Sequence, residues 1–179
     1  MPRLIKDGAI VDDRWTLVRE PASLAALPPE TPVIVPLTLW KSDRNALPVH
    51  GELGVWLKPD EDPAALAGDL ASLPLIAVDF PKFTDGRGYS TAKLLRDKYG
   101  FTGELRAIGD VLRDQLYYMR QCGFDAFAVR ADRSLEDALK GLADFSDGYQ
   151  ATVRQPIPLF RRRAPAAFVR ETAPAANDP

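Results

Sequence analysis

The chain has almost none of the residues that most often build reactive centres: among 179 residues there is one cysteine, Cys122, and one histidine, His50. A lone cysteine excludes an internal disulfide, and a multi-cysteine iron–sulfur or structural zinc site cannot be assembled from this chain alone. No metal site is therefore expected, and a reducing, cytoplasmic setting is the natural expectation. His50 lies in a proline-bounded connection with no acid or nucleophile beside it, so it reads as a loop or strand-edge residue rather than a general base. Cys122 precedes Gly123 at the end of an expected helix, where the negative end of the helix dipole raises a thiol pKa. It reads as a packed small hydrophobe.

Long apolar runs are missing as well. The N-terminal "MPRLIKDGAIVDDRW" lacks the apolar core of an export signal, and no stretch approaches the roughly 18 apolar residues of a membrane span. Neither an obvious export signal nor a membrane partner is expected. An excess of positive charge is also absent: Lys and Arg number 23 against 25 Asp and Glu, for a formal net charge of −2. That balance gives no basic footprint for nucleic acid. P-loop, H-E-x-x-H and G-x-S-x-G patterns do not occur.

Proline is abundant early and then stops, with none between Lys82 and Gln155. Helices should concentrate in that proline-free middle. With 46% hydrophobic and 27% charged residues, the chain fits one domain with a real core. We read residues 1–155 as a single α/β domain and 156–179 as an extended or disordered Pro/Ala/Arg tail.

Within that domain, residues 1–18 read as a hairpin turning at Asp7 and Gly8. The segment 20–32 reads as a short helix or loop. In "VIVPLTLW" (33–40) Pro36 points to an edge or bulged strand. A polar connection follows.

Over 54–146 four strand–helix units succeed one another. The strand at 55–57 precedes a helix in "DPAALAGDLASL", opened by Asp62 and Pro63. "LPLIAVDF" leads to a helix from about Ser90, ended by Gly100. "ELRAIG" leads to "VLRDQLYYMRQC", capped by Asp110 and stopped at Gly123. "DAFAVR" leads to "SLEDALKGLADF", where Ser134 and Asp137 have capping-box spacing. Such units predict parallel strands with helical crossovers, in a flavodoxin-like sheet or half of a (βα)-barrel. A half-barrel leaves apolar surface bare, which predicts a homodimer.

In this architecture ligands gather beyond the carboxyl ends of the strands. The chemistry-bearing residues there include Lys58 and Asp60; Asp79, Lys82, Asp85 and Arg87; Asp110 and Arg113; and Arg130, Asp132 and Arg133. A small oxyanion suits a rim with so many guanidiniums. The competing reading is that these charges pair with one another across a solvated rim. The G-x-G of "DGRGYST" makes Gly86 and Gly88 weak cofactor-binding candidates, because the third glycine of a dinucleotide fingerprint is missing. Glu104 and Arg106, two apart on a strand, should face the same side. They belong either to a polar network or to an anion pocket built from Arg106, Arg113 and Asp110.

The stretch "FPKFTDGRGYSTAKLLRDKYGFTGELRAIGDVLRDQLYYMRQCGFDAF", with the later "PLFRRR", resembles a bacterial family, domain of unknown function 934. Members are described as oxidoreductases involved in sulfite reduction, encoded beside sulfite reductase. The resemblance covers most of residues 50–163. It implies an accessory role in assimilatory sulfate reduction, with sulfite reductase, its electron donor or a small sulfur oxyanion as partner. The family carries no established catalytic residues. No cofactor is recognised in the sequence, so any redox group would belong to a partner or be held in an unrecognised way. Two further readings stand beside this one. The first is an enzyme in which Arg87, Arg106, Arg113 and Lys82 hold a small anionic substrate while Asp85 or Asp110 moves a proton. The second is a non-catalytic dimeric interaction protein.

Overall fold

The computed structural model describes residues 2–20, 30–42 and 52–163. His50, most of the 20–32 segment and of the polar connection, and the tail beyond Arg163 lie outside the described residues.

Strands β1 (Arg3–Lys6) and β2 (Ala9–Asp12) form an antiparallel hairpin. Asp7 and Gly8 both take positive φ, 50° and 80°, as a two-residue turn matched to strand twist requires. The remaining strands are β3 (Thr16–Leu17), β4 (Val33–Pro36), β5 (Leu53–Leu57), β6 (Leu75–Phe80), β7 (Glu104–Gly109) and β8 (Ala126–Phe127). They form one eight-stranded sheet in the order β2-β1-β8-β7-β6-β5-β4-β3. Every pairing from β3 to β8 is parallel, and β1 closes onto β8 antiparallel.

This mixed α/β architecture is a curled half-barrel. The parallel strands lie in chain order, so the sheet has no point at which strand order reverses, the feature that defines a doubly wound fold. Right-handed crossovers taken always in one direction place their connections on one face. That outer face, with Val35, Val55, Val78, Phe80, Ala107 and Phe127, shares a core with the helices α2 (Arg87–Lys93), α3 (Arg113–Gln121) and α4 (Leu135–Gly141). The alternate residues Ile34, Trp56, Leu75, Ala77 and Ile108 form a second core with Trp15 on the inner face.

The inner face is covered within the single chain: Trp15 is 8% exposed and Trp56 4%. The Trp56 indole donates to the Val18 carbonyl at 2.9 Å, which fastens the covering segment down. Among the described residues this inner face is thus not bare, and it supplies no reason for a dimer.

Several local expectations are corrected. Pro36 ends an interior strand, because the short β3 reaches only Val33 and Ile34 and asks nothing of Pro36. Residues after it turn into the helix α1 (Leu37–Ser42) rather than continuing the strand. The expected helix after Asp62 is two 3₁₀ turns, Pro63–Leu66 and Leu70–Ser72. Asp62 does cap the first turn through the Ala64 amide at 2.9 Å. Gly68 and Asp69 then interrupt the helix, glycine because it gives up the most backbone freedom and Asp69 because it accepts from the Trp40 indole at 3.1 Å. Helix α2 starts at Arg87, earlier than Ser90, and continues as a wider π turn over Leu94–Lys98. Ser134 caps α4 through the Asp137 amide at 3.1 Å. A short α5 (Leu159–Arg162) folds part of the expected tail back against the domain.

Gly109 ends β7 with φ of 96°, and a Cβ there would stand 2.4 Å from the Phe80 carbonyl oxygen. Gly109→Ala is therefore expected to lower stability by roughly 2 kcal/mol or more. Gly68, with nothing within 4 Å of an added Cβ, is expected to accept alanine with a change below about 1 kcal/mol. Urea midpoints at unchanged slope measure both.

Candidate functional site

The carboxyl ends of β5 to β8 carry a rim of charges, and the structure shows what each charge touches. Asp79, the penultimate residue of β6, faces the inner side and is 7% exposed. It accepts from Arg19 Nη2 at 2.9 Å, and the Arg19 guanidinium lies over the Trp56 ring at 5.1 Å. In the loop after β6, Asp85 Oδ1 accepts from the Arg87 backbone amide at 3.2 Å and from Arg87 Nε at 3.0 Å. Its Oδ2 accepts from Arg87 Nη2 at 2.7 Å. The Arg87 guanidinium holds the Asp85 carboxyl below the usual carboxylate range, which makes Asp85 a poor proton acceptor near neutrality.

Asp110 does not cap α3. Its Oδ2 accepts from the Phe83 amide at 2.9 Å and its Oδ1 from Arg130 Nη1 at 2.8 Å. Arg130 also forks onto Asp132, at 2.6 and 3.0 Å. The cap of α3 falls instead to Gln115, whose Oε1 accepts from the Leu112 amide at 3.0 Å while its Nε2 reaches the Phe83 carbonyl at 3.4 Å. Asp110 and Gln115 thus hold the 81–86 loop between them. Phe83, at its middle, projects 47% exposed into solvent. The side chain of Lys82 is exposed and makes no ion pair among the described residues.

The anion pocket expected from Arg87, Arg106 and Arg113 is not assembled. Arg87 is on the rim. Arg106 is on the inner face and makes a buried cluster: its Nε donates to Glu104 at 2.7 Å and its Nη1 to Asp13 at 2.9 Å. Lys6 completes the cluster on Glu104 at 2.8 Å. Strand periodicity put Glu104 and Arg106 on one face, as expected. That face is the inner one, shared with the hairpin. Arg113 opens α3 and turns outward to Asp144 at 2.9 Å and Asp137 at 3.8 Å. Its backbone is covered by Gly141 of α4, where an added Cβ would meet the Arg113 carbonyl at 2.5 Å.

The two glycines of the loop are also explained by packing. Gly86 precedes α2 with an ordinary φ of −87°. Gly88 is buried against the Phe80 ring, 2.6 Å from where its Cβ would lie, so the missing side chain makes room for Phe80 rather than for a cofactor. Sequence reasoning missed Asp13 and Arg19. Each meets its partner across 93 and 60 residues of chain, and no local pattern marks such contacts.

Two outcomes follow. Arg106 is 4% exposed at its side chain, Glu104 8% and Asp13 14%; Arg106→Met is expected to cost about 3–5 kcal/mol by taking the cation from Asp13 and leaving Glu104 with Lys6 alone. The double variant Arg106→Met with Glu104→Leu should recover part of that loss in denaturant melts, whereas a ligand-binding arginine would show loss of binding at unchanged stability. Cys122 is 8% exposed, and burial pushes its thiol above the ordinary value against the pull of the Tyr118 hydroxyl. Alkylation by iodoacetamide at pH 8 should run about ten-fold or more slower than for a free thiol, until the protein is unfolded.

Among the described residues, no helix is long and apolar enough to cross a membrane. No curated protein matches the chain at a significant level. The model of a family described as a bacterial protein of unknown function (DUF934) matches residues 54–160, from β5 into α5, and with that share of its length covered the chain belongs to that family.

Proposed function

We propose that the protein is an accessory protein of assimilatory sulfite reduction that works by binding, with the carboxyl-end rim as its contact for sulfite reductase or the reductase's electron donor. The observation behind this is the state of the rim. Its arginines Arg19, Arg87 and Arg130 are each fixed on a carboxylate, and its 81–86 loop carries an exposed Phe83 held by Asp110 and Gln115. Fixed, paired charges around an aromatic projection favour recognition of a protein surface, since charge pattern sets partner choice and a buried aromatic supplies the energy. Proton transfer is disfavoured, because Asp85 is held ionised and the oxygens of Asp110 are occupied.

The sulfur assignment is supported by the resemblance carried by "FPKFTDGRGYS" and the block that follows it. A small sulfur oxyanion is a further ligand within this reading, delivered to or received from the reductase.

Phe83→Ser combined with Arg87→Glu changes two exposed side chains and should leave the melting temperature nearly unchanged. Co-purification with the reductase or its donor at low salt should fall at least about ten-fold, and the wild-type association should weaken as salt is raised. A deletion strain should grow poorly on sulfate or sulfite and normally on cysteine. Normal growth on all three, with no association at low salt, would overturn the proposal.

A further inference from the structure

Away from the rim, two arginines stand together with no acid among the described residues paired to either. Arg120 lies in the last turn of α3, and Arg154 lies in the segment that crosses back over that helix. Among the described residues neither guanidinium makes a hydrogen bond or ion pair, and Arg120 Nε is buried with no partner at all. Their neighbours are treated differently. Arg96 donates to three carbonyls and to Asp125, and Arg162 to Asp147 and the Gly148 and Ile157 carbonyls. A buried unsatisfied donor on a cation costs more than a neutral one. A second cation beside it adds repulsion, and burial together with the Arg154 charge pulls the Arg120 pKa below its ordinary value.

The two arginines border two cavities of about 210 Å³ each. One also touches Asp7 and Asp125, which disfavours an anion there. The other, between α3 and residues 145–162, brings Arg120, Arg154 and Arg162 together with Gln121, Ser146 and Gln155. The single carboxylate among the described residues that line it, Asp147, is already held by Arg162 at 2.9 Å and Arg163 at 3.7 Å. The cavity therefore has two free positive charges, neutral donors around them and room for a tetrahedral or pyramidal anion.

We propose that this cavity binds a small, doubly charged oxyanion between Arg120 and Arg154. Guanidinium forks match such oxygens, and a bound dianion satisfies the orphaned Nε and removes the repulsion between the two cations. The anion also joins Arg154, in the 145–162 segment, to α3, which that segment already meets through Thr152 Oγ1 donating to Gln121 Oε1 at 2.8 Å and through the Phe145 ring set edge-on to Tyr117 at 5.0 Å. Binding therefore orders the segment. The site does not depend on the accessory reading and does not use the rim.

Titration calorimetry of the full chain in low-chloride buffer tests this with sodium sulfite, sulfate, inorganic phosphate and a phosphomonoester such as glycerol phosphate. One-to-one binding of at least one of them is expected, weakened about ten-fold or more in Arg154→Gln and in Arg120→Gln. Arg154 is exposed, so its variant keeps the proposal testable even if Arg120→Gln fails to fold. Amide exchange in residues 145–162 should slow when the anion is added to wild type and not to Arg154→Gln. Preference for sulfite or sulfate supports both this site and the sulfur reading. Preference for phosphate or its ester keeps the site and counts against the sulfur reading. No binding at up to about 10 mM of any of the four, or binding unchanged in Arg154→Gln, overturns the site.

Discussion

The guanidinium of Arg106 is the constraint on which the inner half of this protein depends. A sheet wound in one direction has helices on one face only, so the other face must be covered by whatever chain remains. Here the cover is the strap through Trp15 and Arg19, with the N-terminal hairpin extending the sheet beside β8. Arg106 reaches Asp13 in that strap, while its partner Glu104 reaches Lys6 in the hairpin. One buried arginine thus decides where two separate pieces of the N-terminus sit on β7 and β8. Hydrophobic contact from Trp15, Ile34 and Trp56 holds the cover on. It is not directional, whereas a one-residue slip of β1 would turn each of its side chains, Lys6 included, to the opposite face. The charges make that slip expensive, because it would take Lys6 away from Glu104 and leave Arg106 as its one remaining cation in a place with little water.

Phe80 plays the corresponding part on the outer face. Its ring sits edge-on to Tyr89 at 5.3 Å and against Phe124 at 5.8 Å, joining α2 to the segment before β8. Gly88 gives the ring space, and Gly109 lets β7 pass close to the Phe80 backbone, to whose carbonyl the Asp110 amide donates a hydrogen bond at 2.7 Å. Because Asp110 is placed by that contact, it meets Phe83 and Arg130 rather than the start of α3. Core packing therefore sets the rim geometry, and the loop after β6 is tied to the start of α3 by hydrogen bonds to Asp110 and Gln115.

Much of the regular structure was legible in the chain. The apolar runs of β5 to β7 and the shorter β8, the positive-φ turn at Asp7 and Gly8, the glycines that end helices at 100 and 123, and the Ser134 cap are local signals with local causes. What escaped was decided at a distance. Pro36 is tolerated inside the sheet only because β3 is two residues long, and Asp69 leaves its helix to meet an indole from another element. Asp110 matches the residue type of a cap, yet the strand before it ends in a left-handed glycine that turns the side chain toward the neighbouring loop. The expected convergence of arginines failed for a related reason. Residues that fall together in a list of strand ends were separated by the two faces of one strand and by the outward turn of a helix start.

Charge pairing separates the two candidate surfaces of the molecule. At the rim, Asp79, Asp85, Asp110 and Asp132 each meet an arginine, so the field there is largely cancelled and short-ranged. Behind α3, Arg120 and Arg154 keep their charge in a chain whose formal charge is −2 and which has 25 carboxylates available. Scarcity of acids does not explain that. A carboxylate in place of Gln121 or Gln155, both beside the arginines, would neutralise them with a small change in volume. Leaving neutral amides there keeps the repulsion and the orphaned donor in the folded state, a cost that an incoming anion recovers on binding. The rim is thus suited to a partner that matches its shape and charge pattern, and the cavity behind α3 to one that supplies charge.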